Sequence, residues 1–306
     1  MMALTVPCPA DYDLVASQRT LRLGPRDPMM RIEGVEVWRA MRAPSGPVTV
    51  RAQPVEGGVG QGIALTIWGP GAAWVGEHAS DLLGLGDRPH EFRPRHRLLR
   101  ELVRRHPGLY LPRTRRIFER LVPTVLQQLV TWREAMRAYR GLIERFGEAA
   151  PGPGGLRLLP APSVVARLPD YALVPLGMLA KHARTLRRAA ERAAALRRLE
   201  WMSPTEARAG LESLPGIGPW TSAWTTAVAL GDPDAVMLGD LHLPHDVCWA
   251  LAGEPRGSDA RMMELLAPFA GHRWRVVTLL GHSGVHPPRS ARRGPPRPMR
   301  PRPRMR

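Results

Sequence analysis

The chain has 306 residues, 44% of them hydrophobic, which is enough to bury sizeable cores in two or three modest domains and excludes global disorder. Its 44 basic residues exceed its 27 acidic ones for a formal charge of +17, which points to a polyanionic partner. Only one of those basic residues, Lys181, is a lysine, so a compositional bias towards arginine contributes to the skew. Two cysteines, Cys8 and Cys248, lie outside any CxxC pair and argue against disulfides, structural zinc and a four-cysteine iron–sulfur cluster.

The N-terminal stretch MMALTVPCPADYDL has no basic n-region and no long apolar run, so no signal peptide is expected there. No run of about 18 apolar residues follows, and no membrane span is expected. A cytoplasmic, nucleoid-associated protein fits these features. Residues 35–43, 46–55 and 62–69 alternate apolar and polar side chains between Gly/Pro turns and predict a small antiparallel sheet. A helix is expected near AAWVGEHASDLLGL, and the first 90 residues form the expected N-terminal unit.

From Glu91 the pattern turns helical. RHRLLRELVRRH places Leu98, Leu99, Leu102 and Val103 on one face. The next segment, 112–147, predicts two or three helices with a break at Pro123. PGPGG at 151–155 reads as a linker, and LGMLAKHARTLRRAAERAAAL as one long amphipathic helix. SPTEARAGLESL opens on a capping box, with Ser203 as N-cap, Pro204 at N1 and Glu206 at N3. Three more helical segments are expected after Asp240, and residues 91–285 form the expected helical core. From His286 to Arg306 there are eight arginines, seven prolines and no acid, which reads as a disordered basic tail. Such a tail raises affinity for nucleic acid through counterion release without reading sequence, or serves solubility alone.

Leu214 to Trp224 read LPGIGPWTSAW. Gly-x-Gly after proline predicts a tight hairpin between two helices, and Pro219 suits the first position of the second helix. A helix N-terminus with free amides is an anion site, so Gly216 and Gly218 are candidate phosphate contacts. About two dozen residues later comes LGDLHL, with Asp240 preceded by Gly239. Asp240 is either an ordinary helix N-cap or a functional carboxylate. Asp232 and Asp234 sit in a GDPD turn and Asp246 inside an expected helix, and they compete less well. Asp240, His242, His245 and Asp246 could also be read as metal ligands, but Pro244 interrupts the turn, and no metal site is expected.

Helix, LPGIG hairpin, helix and the aspartate of LGDLHL, together with VPTVLQQLVT upstream, resemble the helix–hairpin–helix DNA glycosylase superfamily. Within it they resemble the 3-methyladenine DNA glycosylase II (AlkA-like) branch. The resemblance covers about residues 115–285. It implies a mostly helical fold with an N-terminal antiparallel sheet, and a helical core carrying the helix–hairpin–helix at 203–230. It implies Asp240 as the catalytic carboxylate. Gly216, Ile217, Gly218, Thr221, Gln128 and Leu129 would be DNA contacts, Leu129 filling the gap left by a flipped base. Trp220 and Trp224, four apart on one helical face, would border the base pocket, where aromatic faces suit a cationic alkylated purine. Ordinary core packing is the alternative for both tryptophans and for Leu129.

The implied activity is monofunctional excision of damaged bases, alkylated purines first, from double-stranded DNA by a monomer without a cofactor. A monovalent cation between hairpin carbonyls and a phosphate is the only ion the resemblance suggests. Relatives that also cut the strand carry a lysine after the proline of the hairpin, and this chain has Trp220 there. The branch's pocket tryptophan near the end of the last helix is replaced by Ser283, which leaves a deaminated or oxidised base open as the substrate. A damage-binding protein without catalysis is the other alternative.

Overall fold

The computed structural model describes residues 1–55 and 62–288. Strands β1 (Met2–Pro7), β2 (Met30–Glu33), β3 (Glu36–Ala43), β4 (Gly46–Pro54) and β5 (Gly62–Trp68) form one sheet in the order β1-β5-β4-β3-β2, antiparallel throughout. The three alternating segments are β3 to β5. The outer strands β1 and β2 complete the sheet beyond what the alternation indicates.

β3 is covered on both faces. Val37, Met41 and Ala43 enter the main core under the sheet. Trp38 and Ala40 point the other way, into a small cluster with Leu156 and Leu158. That second cover comes from the hairpin of β6 (Glu148–Ala149) and β7 (Arg157–Leu158), whose turn is the PGPGG segment. The segment expected to be a linker is therefore packed structure. A Cβ on Gly152 would lie 2.6 Å from the Trp68 ring and one on Gly154 2.9 Å from Trp38. Glycine and proline mark the turn because only small residues let the backbone lie on that stacked tryptophan pair.

The helices run α1 (Leu14–Arg19), α2 (Ala72–Glu77), α3 (Ala79–Leu83), α4 (Arg97–Arg105), α5 (Ile117–Leu126), α6 (Trp132–Phe146), α7 (Pro162–Val165), α8 (Asp170–Leu173), α9 (Ala180–Glu191), α10 (Ala193–Leu199), α11 (Pro204–Glu212), α12 (Pro219–Ala229), α13 (Leu243–Ala252), α14 (Asp259–Leu266) and α15 (Arg273–Ser283). Three expectations are corrected here. The helix near residue 72 is two, α2 and α3, divided at His78. The long helix of residues 176–196 is α9 and α10, divided at Arg192, whose ψ of 20 leaves the helical range. Pro123 does not break its helix: α5 runs through it to Leu126. One missing donor in a helix buried at every residue but Glu119 is offset by the packing around it.

α5, α6, α9 and α11 enclose one core, and α4, α13, α14 and α15 another. α12 stands between the first of these and the core of the sheet. Its Ala223, Ala227 and Val228 join the core of the sheet, while Ala229 joins the core with α5. Small side chains permit this. Ser222, Thr225 and Thr226 are buried and return their hydroxyls to backbone carbonyls of Pro219, Thr221 and Ala223, so these three hydroxyls stay satisfied as α5 and α11 close on them. No helix among the described residues is long and apolar enough to cross a membrane. The arginine-rich tail expected from His286 lies, from residue 289 on, outside the described residues.

Candidate active site

The capping box at Ser203 forms as the sequence predicts: its Oγ accepts from Glu206 N, and Glu206 reaches back to Ser203 N at 3.0 Å. A second box, Thr131 with Glu134, starts α6 and fixes the other side of the site. Between α11 and α12 the chain turns at Gly216, with φ +96. A Cβ there would sit 2.2 Å from Thr185 Oγ1 of α9, so glycine is required by both conformation and space. Leu214 and Ile217 anchor the turn in the core. Gly218 caps α12 without a side chain, so no N-cap side chain occupies the helix start where an anion would dock. The carbonyls of Leu214 and Gly216 accept from Ile217 N and Gln128 Nε2, both at 3.0 Å. As hard oxygen donors with a second lone pair, they fit the monovalent cation the resemblance suggests.

Asp240 stands one residue past Gly239, which has φ +81. Its Oδ1 accepts from the amides of His242 (2.8 Å) and Leu243 (2.9 Å), closing the turn into α13. Its Oδ2 accepts from Trp220 Nε1 at 2.8 Å. Oδ1 thus makes capping-type contacts at the start of α13, whose N-cap residue is His242. The capping contacts need only an acceptor, as asparagine or serine would supply. The tryptophan contact engages the second oxygen and needs a carboxylate to be satisfied together with the first. The competing aspartates are used elsewhere. Asp232 is buried in an ion pair with Arg208 and accepts from Asp234 N at 3.1 Å. Asp234 holds Gly271 N and Arg273, and Asp246 pairs with His286. His245 accepts from Gly257 N through Nδ1.

Trp220 and Trp224 stack with ring centroids 6.1 Å apart, and Trp274 meets Trp224 edge-on at 5.8 Å. Trp274 is buried, as core packing predicts, whereas Trp220 and Trp224 are half-buried. A residue without a sequence signal, Arg120 of α5, lies with its guanidinium carbon 5.4 Å from the Trp224 centroid. Burial pulls its pKa down to about 10, with Tyr139 and Asp27 acting in the opposite direction. Its guanidinium makes no hydrogen bond among the described residues and lines a mainly apolar cavity of about 50 Å³, whose wall also carries Arg39, Asp27, Glu119 and Tyr139. Ser283 ends α15 and spends its hydroxyl on the turn, donating to Leu280 O and accepting from Val285 N.

On the α5 side, Gln127 caps the helix and Gln128 and Leu129 form the turn before α6. Gln128 faces the hairpin: its Nε2 donates to Gly216 O (3.0 Å) and Thr221 Oγ1 (2.8 Å). Leu129 is not core. It is 86% exposed and has φ +59, a conformation rarely adopted by a leucine. Leu241, next to Asp240, is also exposed at 76%. Asp240, the two tryptophans, Thr221, the hairpin and the Gln128–Leu129 turn are therefore linked by direct contacts around the start of α12.

No family model matches the chain. Over 181 residues it is 30% identical to a probable bifunctional transcriptional activator/DNA repair enzyme AlkA of Mycobacterium tuberculosis, covering 58% of this chain. It spans only about a third of that relative's length, 34%. Among solved structures, a 3-methyladenine DNA-glycosylase from Archaeoglobus fulgidus superposes with a TM-score of 0.76 at 20% identity, covering 90% of this chain and 96% of that one. An 8-oxoguanine glycosylase/lyase of Clostridium acetobutylicum, bound to double-stranded DNA, gives 0.69 at 13% identity over 91% and 93%. The architecture, from N-terminal sheet to last helix, is the fold of the helix–hairpin–helix DNA glycosylases.

Proposed function

We propose that this protein is a monofunctional DNA N-glycosylase that flips a damaged base, an alkylated purine, out of duplex DNA and releases it. The observation that carries the reading is the Asp240 carboxylate, fixed through both oxygens by Trp220 Nε1 and by the amides of His242 and Leu243, beside an uncapped helix–hairpin–helix. Departure of the base with the electrons of the C1′–N bond leaves oxocarbenium character on the sugar, which a preorganised carboxylate stabilises. The alkylated purine departs as a neutral base, and water bonds to C1′ and releases its proton to solvent, which balances the charge of the cationic nucleoside. Three donors hold Asp240 in a fixed orientation, and its main work is electrostatic. The residue after Pro219 is Trp220, which offers no amine for a Schiff base, and this supports hydrolysis without strand cleavage. A purine alkylated on a ring nitrogen leaves readily, and the chemistry needs no cofactor. Gly216, Ile217, Gly218 and Thr221 would hold the DNA backbone at the start of α12, with the chain acting as a monomer on double-stranded DNA.

A second reading, a neutral deaminated or oxidised base, is favoured by Arg120. A cation already lies over Trp224 and weakens the attraction of that stack for a cationic base. Ser283 also gives the pocket no further aromatic wall.

The test is single-turnover base release from methylated duplex DNA by the native protein and by Asp240→Asn. Release by the native protein that the variant loses supports the glycosylase and the role of Asp240. If methylated DNA yields nothing while deaminated or oxidised duplexes are processed, the alkylated-purine assignment falls. Binding without release of any base refutes the enzyme.

A further inference from the structure

The Gln128–Leu129 turn is held in an unusual state. Leu129 combines a left-handed backbone with an 86% exposed side chain, so neither local preference nor burial keeps it there. Its neighbours do. Gln128 O lies 2.9 Å from Nε2 of His182, the third residue of α9. Since a carbonyl can only accept, His182 donates, which fixes the Nε2–H tautomer. His182 is 1% exposed, and burial lowers its pKa, consistent with a neutral ring. One turn further along α9, Thr185 presses on Gly216. The same helix face therefore braces both the turn and the hairpin, and the Gln128 amide ties these two together.

We propose that His182 is a positioning residue: through its bond to Gln128 O it presents Leu129 preformed, so that Leu129 fills the space of a flipped nucleotide without a rearrangement. The proposal rests on the glycosylase reading, with Leu129 as the wedge. His182 touches neither the base nor the sugar. Its effect is confined to the step in which the duplex is opened.

The experiment uses the full chain and two DNA probes. The first is a duplex with a stable abasic-site analogue opposite 2-aminopurine, whose fluorescence reports insertion of a side chain and requires no base release. The second is a pair of substrates carrying one lesion, either base-paired or in an unpaired bulge. His182→Phe keeps the ring volume and removes the donor. It is expected to lose most of the fluorescence response, as Leu129→Ala does. It should slow release from the paired lesion about tenfold, the scale of one hydrogen bond, and from the bulge less than twofold. His182→Gln, which restores a donor, recovers most of both signals. The double variant His182→Phe/Leu129→Ala is no slower than Leu129→Ala alone. Equal losses on paired and bulged lesions, or a full fluorescence response from His182→Phe, overturn the proposal. A native protein that inserts Leu129 yet releases no base refutes the glycosylase and leaves His182 to be judged by fluorescence alone.

Discussion

Replacing Asp240 with asparagine separates its charge from its shape. In the native protein one oxygen takes two backbone amides and the other takes Trp220 Nε1. Asparagine has one acceptor oxygen and one donor group. It can satisfy the amides of His242 and Leu243 or the indole of Trp220, but its NH2 must then face an N–H at the other end. One unmade hydrogen bond in a half-buried site costs about 1–3 kcal/mol, which lowers Tm by several degrees in a chain of this size. The catalytic loss is separate and larger. A full charge about 4 Å from the developing cation is worth about 4 kcal/mol at the effective dielectric of a partly exposed site. At 1.36 kcal/mol per decade that is a rate about a thousandfold lower. The assay is single-turnover base release, read as alkali-labile strand scission, at a temperature where both proteins are folded by circular dichroism. Duplex affinity should be unchanged or tighter, since a negative charge is removed from a DNA-facing surface. A variant within tenfold of the native rate would refute the electrostatic role. So would a loss of rate that merely follows the loss of folded protein.

The remaining predictions touch the supports of this site. Trp220→Phe keeps a ring to stack on Trp224 but removes the Asp240 contact, and is expected to lower the single-turnover rate about tenfold with little change in duplex affinity. Gly216→Ala forces a side chain into the left-handed region and onto Thr185, so thermal unfolding should fall by at least the 1–2 kcal/mol of the backbone cost, and duplex affinity should fall with it. Burial raises Glu200 from near 4.5 to about 7, and the neighbouring Arg116 guanidinium, at 2.9 Å, works against that rise. A raised carboxyl contributes stability at low pH and loses it as pH climbs through the folded value. The fall in unfolding free energy between pH 5 and pH 8 should therefore be smaller in Glu200→Gln by roughly 2–3 kcal/mol. Identical pH profiles in urea titrations would count against it.

Local chemistry wrote much of this fold into the sequence. Ser203 with Glu206 starts α11 because the cap is satisfied within four residues, and the LPGIG turn needs glycine at Gly216 whatever surrounds it. β3 to β5 and the last three helices follow from alternation and helical periodicity, each a property of one segment. Where a segment's state depends on its neighbours, the sequence misleads. Pro123 stays helical because α5 is packed all round, and PGPGG is seated on two tryptophans more than eighty residues away in the chain. The candidate site divides the same way. The hairpin was legible because Gly-x-Gly after proline carries its own turn chemistry, whereas Asp240 was singled out by the resemblance and not by its local sequence. The bond from Trp220 to Asp240, the guanidinium of Arg120 over Trp224 and the donation from His182 to Gln128 join residues 20, 104 and 54 positions apart. No local pattern marks such pairs, because only the closing of α5, α9 and α12 on one another brings the partners within reach and removes the water that would otherwise satisfy them.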